Sequence, residues 1–194
     1  MEADWEFEVG PDAAGSTAPV IEAAWAGFVD LERNPESARN LPEAAQLPGL
    51  AEALIRLNDA ASPVWTSKCD VWPSIEAGDF DPDELDAPPN SSAHATGCYI
   101  DLLPRAGRQW REPETAAARC REVCGFLHKV PLRCCRADLV IRRAIITANP
   151  SDQEPEILGV TAYLTACGTS QAAAIQSFLA ALAALVDAFR GTRS

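Results

Sequence analysis

Residues 158–190 read LGVTAYLTACGTSQAAAIQSFLAALAALVDAFR, and a change of period inside this stretch decides the fold class. Up to Ala166 the side chains alternate. Leu158, Val160, Ala162, Leu164 and Ala166 fall on one side, and Thr161, Tyr163 and Thr165 on the other. A period of two marks a strand with one buried face. After Gly168-Thr169-Ser170, a segment suited to cap a helix, the period lengthens. Ile175, Phe178, Leu179, Leu182, Leu185, Val186 and Phe189 then make one helical stripe, and Gly191 stands where helices commonly stop.

Working outward, residues 134–147 supply a second strand, with Leu139 and Ile141 on one face and Arg136, Asp138 and Arg142 on the other. Asn149-Pro150-Ser151-Asp152 is a turn cluster, so 134–166 reads as a β-hairpin. A helix begins at Pro113, carries Ala116, Cys120, Val123, Cys124 and Leu127 at helical spacing, and is stopped by Pro131. Thr96, Cys98, Ile100 and Leu102 alternate with Tyr99 and Asp101 in another strand. Val64 to Trp72 reads as a further strand, with Trp65, Cys69 and Val71 on one face and Thr66, Lys68 and Asp70 opposite. Leu47, Leu50, Leu54 and Leu57 define a short amphipathic helix closed by Pro63, and residues 73–93 form a long loop rich in Pro, Asp and Ser.

From residue 47 the order is helix, two strands, helix, two strands, helix. That order predicts an α+β two-layer domain, a mostly antiparallel sheet with helices packed on one face. It is similar to the element order of acidic secretion-chaperone-like folds, a likeness of topology that implies a chaperone-like binding role. The chain reads as a single domain over 1–194, with 1–45 as an N-terminal extension. In that extension Trp5, Phe7 and Val9 alternate with acids in a short strand, and Gly10-Pro11, Gly15 and Pro19 break the chain. Val20, Ala24, Trp25 and Phe28 have helical spacing, and Asn34 to Pro42 reads as a loop.

The 194 residues are 47% hydrophobic, but 35 of them are alanine, so the core must close through small side chains. Charge is uneven. Residues 1–100 hold 19 acids and 4 bases, whereas 101–194 hold 9 acids and 12 bases, within a net charge of −12. An acidic field opposes binding to nucleic-acid phosphates and anionic membranes, while the basic stretch 101–143 can bind an anion or another part of the chain. The acidic N-terminus lacks a secretory pattern. The longest uninterrupted apolar run, Phe178 to Val186, is shorter than the roughly 18 residues of a membrane span. A soluble cytoplasmic protein with seven reduced cysteines is the expectation.

Cys167 ends a strand before a helix N-terminus, a position that favours a thiolate, although the phosphate-binding and phosphatase spacings are missing. Cys120, Cys124 and His128 lie four apart along one helix face, where a soft metal could bind with Cys134 or Cys135 as a further ligand; burial in the core is the competing reading. Asp79, Asp81 and Asp83 open like a calcium loop that Pro82 and Glu84 then break, and His94 has no nucleophile motif beside it. No cofactor fingerprint occurs.

The most informative feature is a surface. The strand faces turned from the helices would show Lys68, Asp70, Tyr99, Asp101, Arg136, Asp138, Arg142, Thr161 and Tyr163. Solvated cross-strand pairs are one reading of that face. The other is a binding platform for a protein partner or a second copy, centred on Lys68, Tyr99, Asp101, Arg136, Arg142 and Tyr163. Ala173, Ala180 and Ala184 on the last helix could also pack in a dimer. The sequence therefore points to a non-catalytic interaction module acting as a homodimer, with a thiol-dependent enzyme or thiol-metal protein as the alternative.

Overall fold

A computed structural model describes residues 1–8, 20–23, 25, 27–47, 49–76, 78–88, 93–105, 110, 112–145 and 157–191. Its strands are β1 (Glu2–Phe7), β2 (Ile21–Glu22), β3 (Val64–Ile75), β4 (His94–Pro104), β5 (Cys135–Ile145) and β6 (Ile157–Gly168). Its α-helices are α1 (Pro42–Gln46), α2 (Leu50–Asn58), α3 (Pro113–Leu127) and α4 (Gln171–Arg190). Short 3-10 helices occupy Pro35–Asn40 and Asp83–Leu85.

Among the described residues these strands make one mixed sheet in the order β1-β5-β6-β4-β3, with β2 also paired to β5. The β3–β4, β4–β6 and β5–β6 pairs are antiparallel, and β1 and β2 run parallel to β5. This is the α+β two-layer arrangement the periodicity predicts. Cys98, Ile100, Leu102, Leu139, Ile141, Val160, Ala162 and Leu164 enter one core with Leu54, Leu57, Val123, Leu127, Phe178, Leu185 and Phe189 of the helices. The turn cluster at 149–152 lies outside the described residues.

Helix α4 crosses that face as its stripe requires. Ser170 is its N-cap, accepting from the Ala173 N–H at 3.2 Å, and Gly191 ends it in the left-handed region at φ 64°. By length and composition α4 is apolar enough to cross a bilayer, which the count of uninterrupted apolar residues missed; half of its apolar window is buried in the fold. Ala184 belongs to the core while Ala180 is exposed, so Ala173, Ala180 and Ala184 do not make one free strip.

Three expectations are corrected. Trp65 is not on the face of Cys69 and Val71. The β3–β4 register shifts between Thr66 and Cys69, so residues on either side of the irregularity point oppositely. Trp65 therefore packs with Leu103 on the open face, while Thr66 turns to the helices and bonds Asn58 of α2. The helical spacing at Val20–Phe28 does not produce a helix: Ile21–Glu22 pairs with β5, and tertiary contacts override the local pattern. The stretch Asn34–Pro42, read as a loop, contains the 3-10 helix and the start of α1.

Past β2 the chain straps the sheet's other face. Ala23 N–H donates to Ile145 O at 2.9 Å on β5, and Ser67 Oγ of β3 donates to Glu22 O at 2.7 Å. Beneath the strap, Ile21, Ala23, Trp65, Leu103, Ala144 and Ile157 form a second apolar cluster joined by Phe28. Gly159 is what lets the strap come so close. A Cβ there would lie 2.7 Å from Ile21 Cδ1, 2.9 Å from Leu103 Cδ2 and 3.0 Å from Leu102 O. Gly159→Ala should therefore lower unfolding free energy by about 1–3 kcal/mol, the usual cost of overpacking. Urea denaturation measures it, and an unchanged midpoint would mean the strap is not seated there.

Candidate functional site

The open face is covered at both ends. The strap closes one, and Phe80, Leu85 and Ala87 pack over Ala95 and Cys167 at the other. Between them lies an open depression of about 470 Å³ lined by Val20, Ile21, Glu22, Trp25, Lys68, Tyr99, Asp101, Arg142 and Tyr163. The structure thus brings Lys68, Tyr99, Asp101, Arg142 and Tyr163 together. Arg136 shares their sheet face but pairs with Asp138 at 2.7 Å and lines a separate, smaller depression with Asp4, Trp5 and Glu6.

The floor is a row of rings across three strands. Trp72 of β3 lies 6.0 Å from Tyr99 of β4, and Tyr99 lies 6.0 Å from Tyr163 of β6. The Arg142 guanidinium of β5 sits 5.7 Å from the Tyr163 ring, within cation–π range. Trp72 is opposite Gly97, so its ring covers backbone that carries no side chain, and it remains 40% exposed. Lys68 Nζ stands 5.6 Å from the Trp25 ring of the strap.

A polar network runs beside the rings. Thr161 Oγ1 donates to Asp101 Oδ1 at 2.6 Å, and Arg142 Nη1 donates to Thr161 Oγ1 at 3.0 Å and Tyr163 OH at 3.2 Å. Arg142 Nε donates to Glu8, just past β1. Asp101 is only 8% exposed. Burial holds its carboxyl above the usual range, against the Thr161 hydrogen bond and the charges of Arg142 and Lys68. Burial also pushes the Tyr99 hydroxyl up to about 12, aided by the charges of Asp101 and Asp70.

The thiol candidates have different surroundings. Cys167 is 0% exposed, and burial first, then the neighbouring Cys134, pushes its thiol up to about 11 despite its place before α4. Burial pushes Cys120 to about 12 and Cys124 to about 11. Both thiols enter the core, while the His128 ring hydrogen-bonds Ala3 O through Nε2 at 2.9 Å. Among the described residues no three His, Cys, Asp or Glu side chains converge as a metal site, Asp79, Asp81 and Asp83 included. His94 opens β4 opposite Gly168.

The strap residues Ile21, Glu22 and Trp25, together with Glu8 and Trp72, are site members that the sequence reading missed. No family model matches the chain, and no curated protein or solved structure matches it.

The geometry carries a pH signature. Asp101 keeps its proton to higher pH when folded than when unfolded. The folded state then binds more protons in that window, so Asp101's contribution to stability is full at low pH and is lost as pH rises through the folded value. Between about pH 4 and neutrality, Asp101→Asn should lose less stability than the parent protein. Chemical denaturation across that range checks it, and parallel curves would overturn it.

Proposed function

We propose that this chain is a non-catalytic protein-interaction module of the cytoplasm, acting as a homodimer through the open sheet face. The observation carrying this reading is the row of rings Trp72–Tyr99–Tyr163 on the open face, with the largely buried Arg142 stacked on Tyr163. Aromatic rings and arginine are the groups most enriched where protein partners bury surface.

Charge supports a second copy as the partner. In a chain of net charge −12, two copies repel at long range, and this face sets bases beside acids that a second copy could pair. Lys68 and Asp70 stand at one side, Arg136, Asp138 and Arg142 at the other. Both signs on one patch suit an isologous contact, in which each copy offers the same surface. The chaperone-like aspect draws its support from element order. The thiol-dependent alternative gains none from the site, where Cys167, Cys120 and Cys124 are buried and their thiols held above the ordinary range.

Native mass spectrometry under reducing conditions should find twice the 20.7 kDa chain mass. Trp72→Ala, chosen because its exposed ring can be removed without opening the core, combined with Tyr163→Ala should weaken dimerisation by about tenfold or more. A monomer at every concentration, or a dimer indifferent to both changes, would refute the proposal.

A further inference from the structure

We infer that Cys134 and Cys167 form an oxidation site, a thiol pair that closes to a disulfide when a hydroperoxide supplies the two-electron oxidant. The inference is independent of the open-face reading. Strands β5 and β6 pair from Cys135 opposite Ala166 onward; Cys134 is the residue just before that last rung and Cys167 the residue just after it on β6, so the two are neighbours where the ladder ends. The Cys167 N–H donates to the Cys134 carbonyl at 2.9 Å, and the Cys134 side chain is near enough to push the Cys167 thiol up. Directly opposed residues of antiparallel strands have Cα atoms about 4.5–5.5 Å apart. That lies inside the span of about 4.4–6.8 Å that a disulfide bridges.

The remaining cysteines are differently placed. Cys69, Cys98, Cys120, Cys124 and Cys135 all belong to or pack against the core on the helix side. Cys134 and Cys167 share the small cluster under Phe80 and Leu85 on the opposite face. The left-handed backbone of Cys134, at φ 61°, turns the chain into β5 at this point, and the Arg133–Asp86 pair at 3.0 Å ties the overlying turn to the preceding residue.

Accessibility orders the steps. Cys134 is half-buried and Cys167 buried, so the oxidant meets Cys134 first. Oxygen transfer from the peroxide to Cys134 Sγ breaks the O–O bond, releases water and leaves a sulfenic acid. Cys167 Sγ then attacks Cys134 Sγ. The S–S bond forms, the S–O bond breaks, and the leaving hydroxide departs as water with the Cys167 proton. The net change is two thiols and one hydrogen peroxide to one disulfide and two waters.

The test exposes the folded, reduced chain to dilute hydrogen peroxide, then denatures it, blocks free thiols and maps the peptides. The expected product is a Cys134–Cys167 crosslinked peptide and an intact mass lower by about 2 Da. Cys134→Ser and Cys167→Ser should each abolish it, and Cys124→Ser should not. Cys134→Ser, at a half-buried position, keeps the test decisive where Cys167→Ser fails to fold. Crosslinks between other cysteines, a stable sulfenic or sulfinic acid at Cys134 with Cys167 free, or seven blocked thiols would each overturn the assignment.

Discussion

The antiparallel register of β4 against β6, running from His94–Gly168 to Leu102–Val160, is the constraint on which the rest of the structure depends. These two strands are the middle of the sheet. Their alternation decides at once which residues meet the helices and which line the open face. A slip of one residue would turn Cys98, Ile100 and Leu102 outward and drive Tyr99 and Asp101 into the helix-side core. The register is marked by polar as well as apolar contacts, since Asp101 pairs directly with Thr161 and Tyr99 with Tyr163. The Asp101–Thr161 hydrogen bond is available only in this alignment. In any other, a nearly buried carboxylate would lose its closest donor, which costs more than an ordinary hydrogen bond contributes.

Several N–H groups of the sheet's outer strands are taken up by nearby side chains. On β3 the N–H groups of Val64, Thr66 and Val71 donate to Ser62, Asn58 and Asp70. On β1 the Trp5 N–H donates to Asp4, between the charges of Glu2 and Glu6. Short, charged or self-satisfied outer strands resist edge-to-edge association. The uneven charge is also used within the fold. Arg105 pairs with Glu32, Arg133 with Asp86 and Arg142 with Glu8, each joining the basic second half to the acidic first. Arg119 donates to the carbonyls of Ala188 and Phe189 at the end of α4, where a helix leaves such groups without partners.

What was legible in the sequence follows from where periodicity survives. Strands β4, β5 and β6 keep strict alternation, so their helix-side and open-face residues could be assigned from Cys98–Ile100–Leu102, Leu139–Ile141 and Val160–Ala162–Leu164 alone. In β3 the irregularity between Thr66 and Cys69 reverses the phase, and no side chain announces it, so simple alternation puts Trp65 on the wrong face. The strap was illegible for another reason. Ile21 is extended because it pairs with Ala144 and fills the space above Gly159, contacts more than a hundred residues away in the chain. The open-face set was legible to the extent that it rests on alternation. Five of its six nominated residues converge, while Arg136 is drawn aside by Asp138 on its own strand.

The network inside the depression also limits what kind of contact the face can make. Arg142 already donates to Glu8, Thr161 and Tyr163, and Thr161 to Asp101, so the deepest polar groups are committed to one another. What stands above them is ring surface and exposed charge: Trp72, the faces of Tyr99 and Tyr163, and Lys68 and Asp70 at the side. A partner laid on this face would gain chiefly from covering the rings, whose burial is worth more than rim charges that remain hydrated. The rim charges would then fix orientation. The thiols have no comparable place in such a contact: five lie on the helix side of the sheet, and the Cys134–Cys167 pair lies beneath Phe80 and Leu85. Oxidation at that pair would join the start of β5 to the end of β6 and leave the rings at the middle of the sheet exposed, so the proposed thiol chemistry and the proposed partner contact would occupy separate parts of the same face.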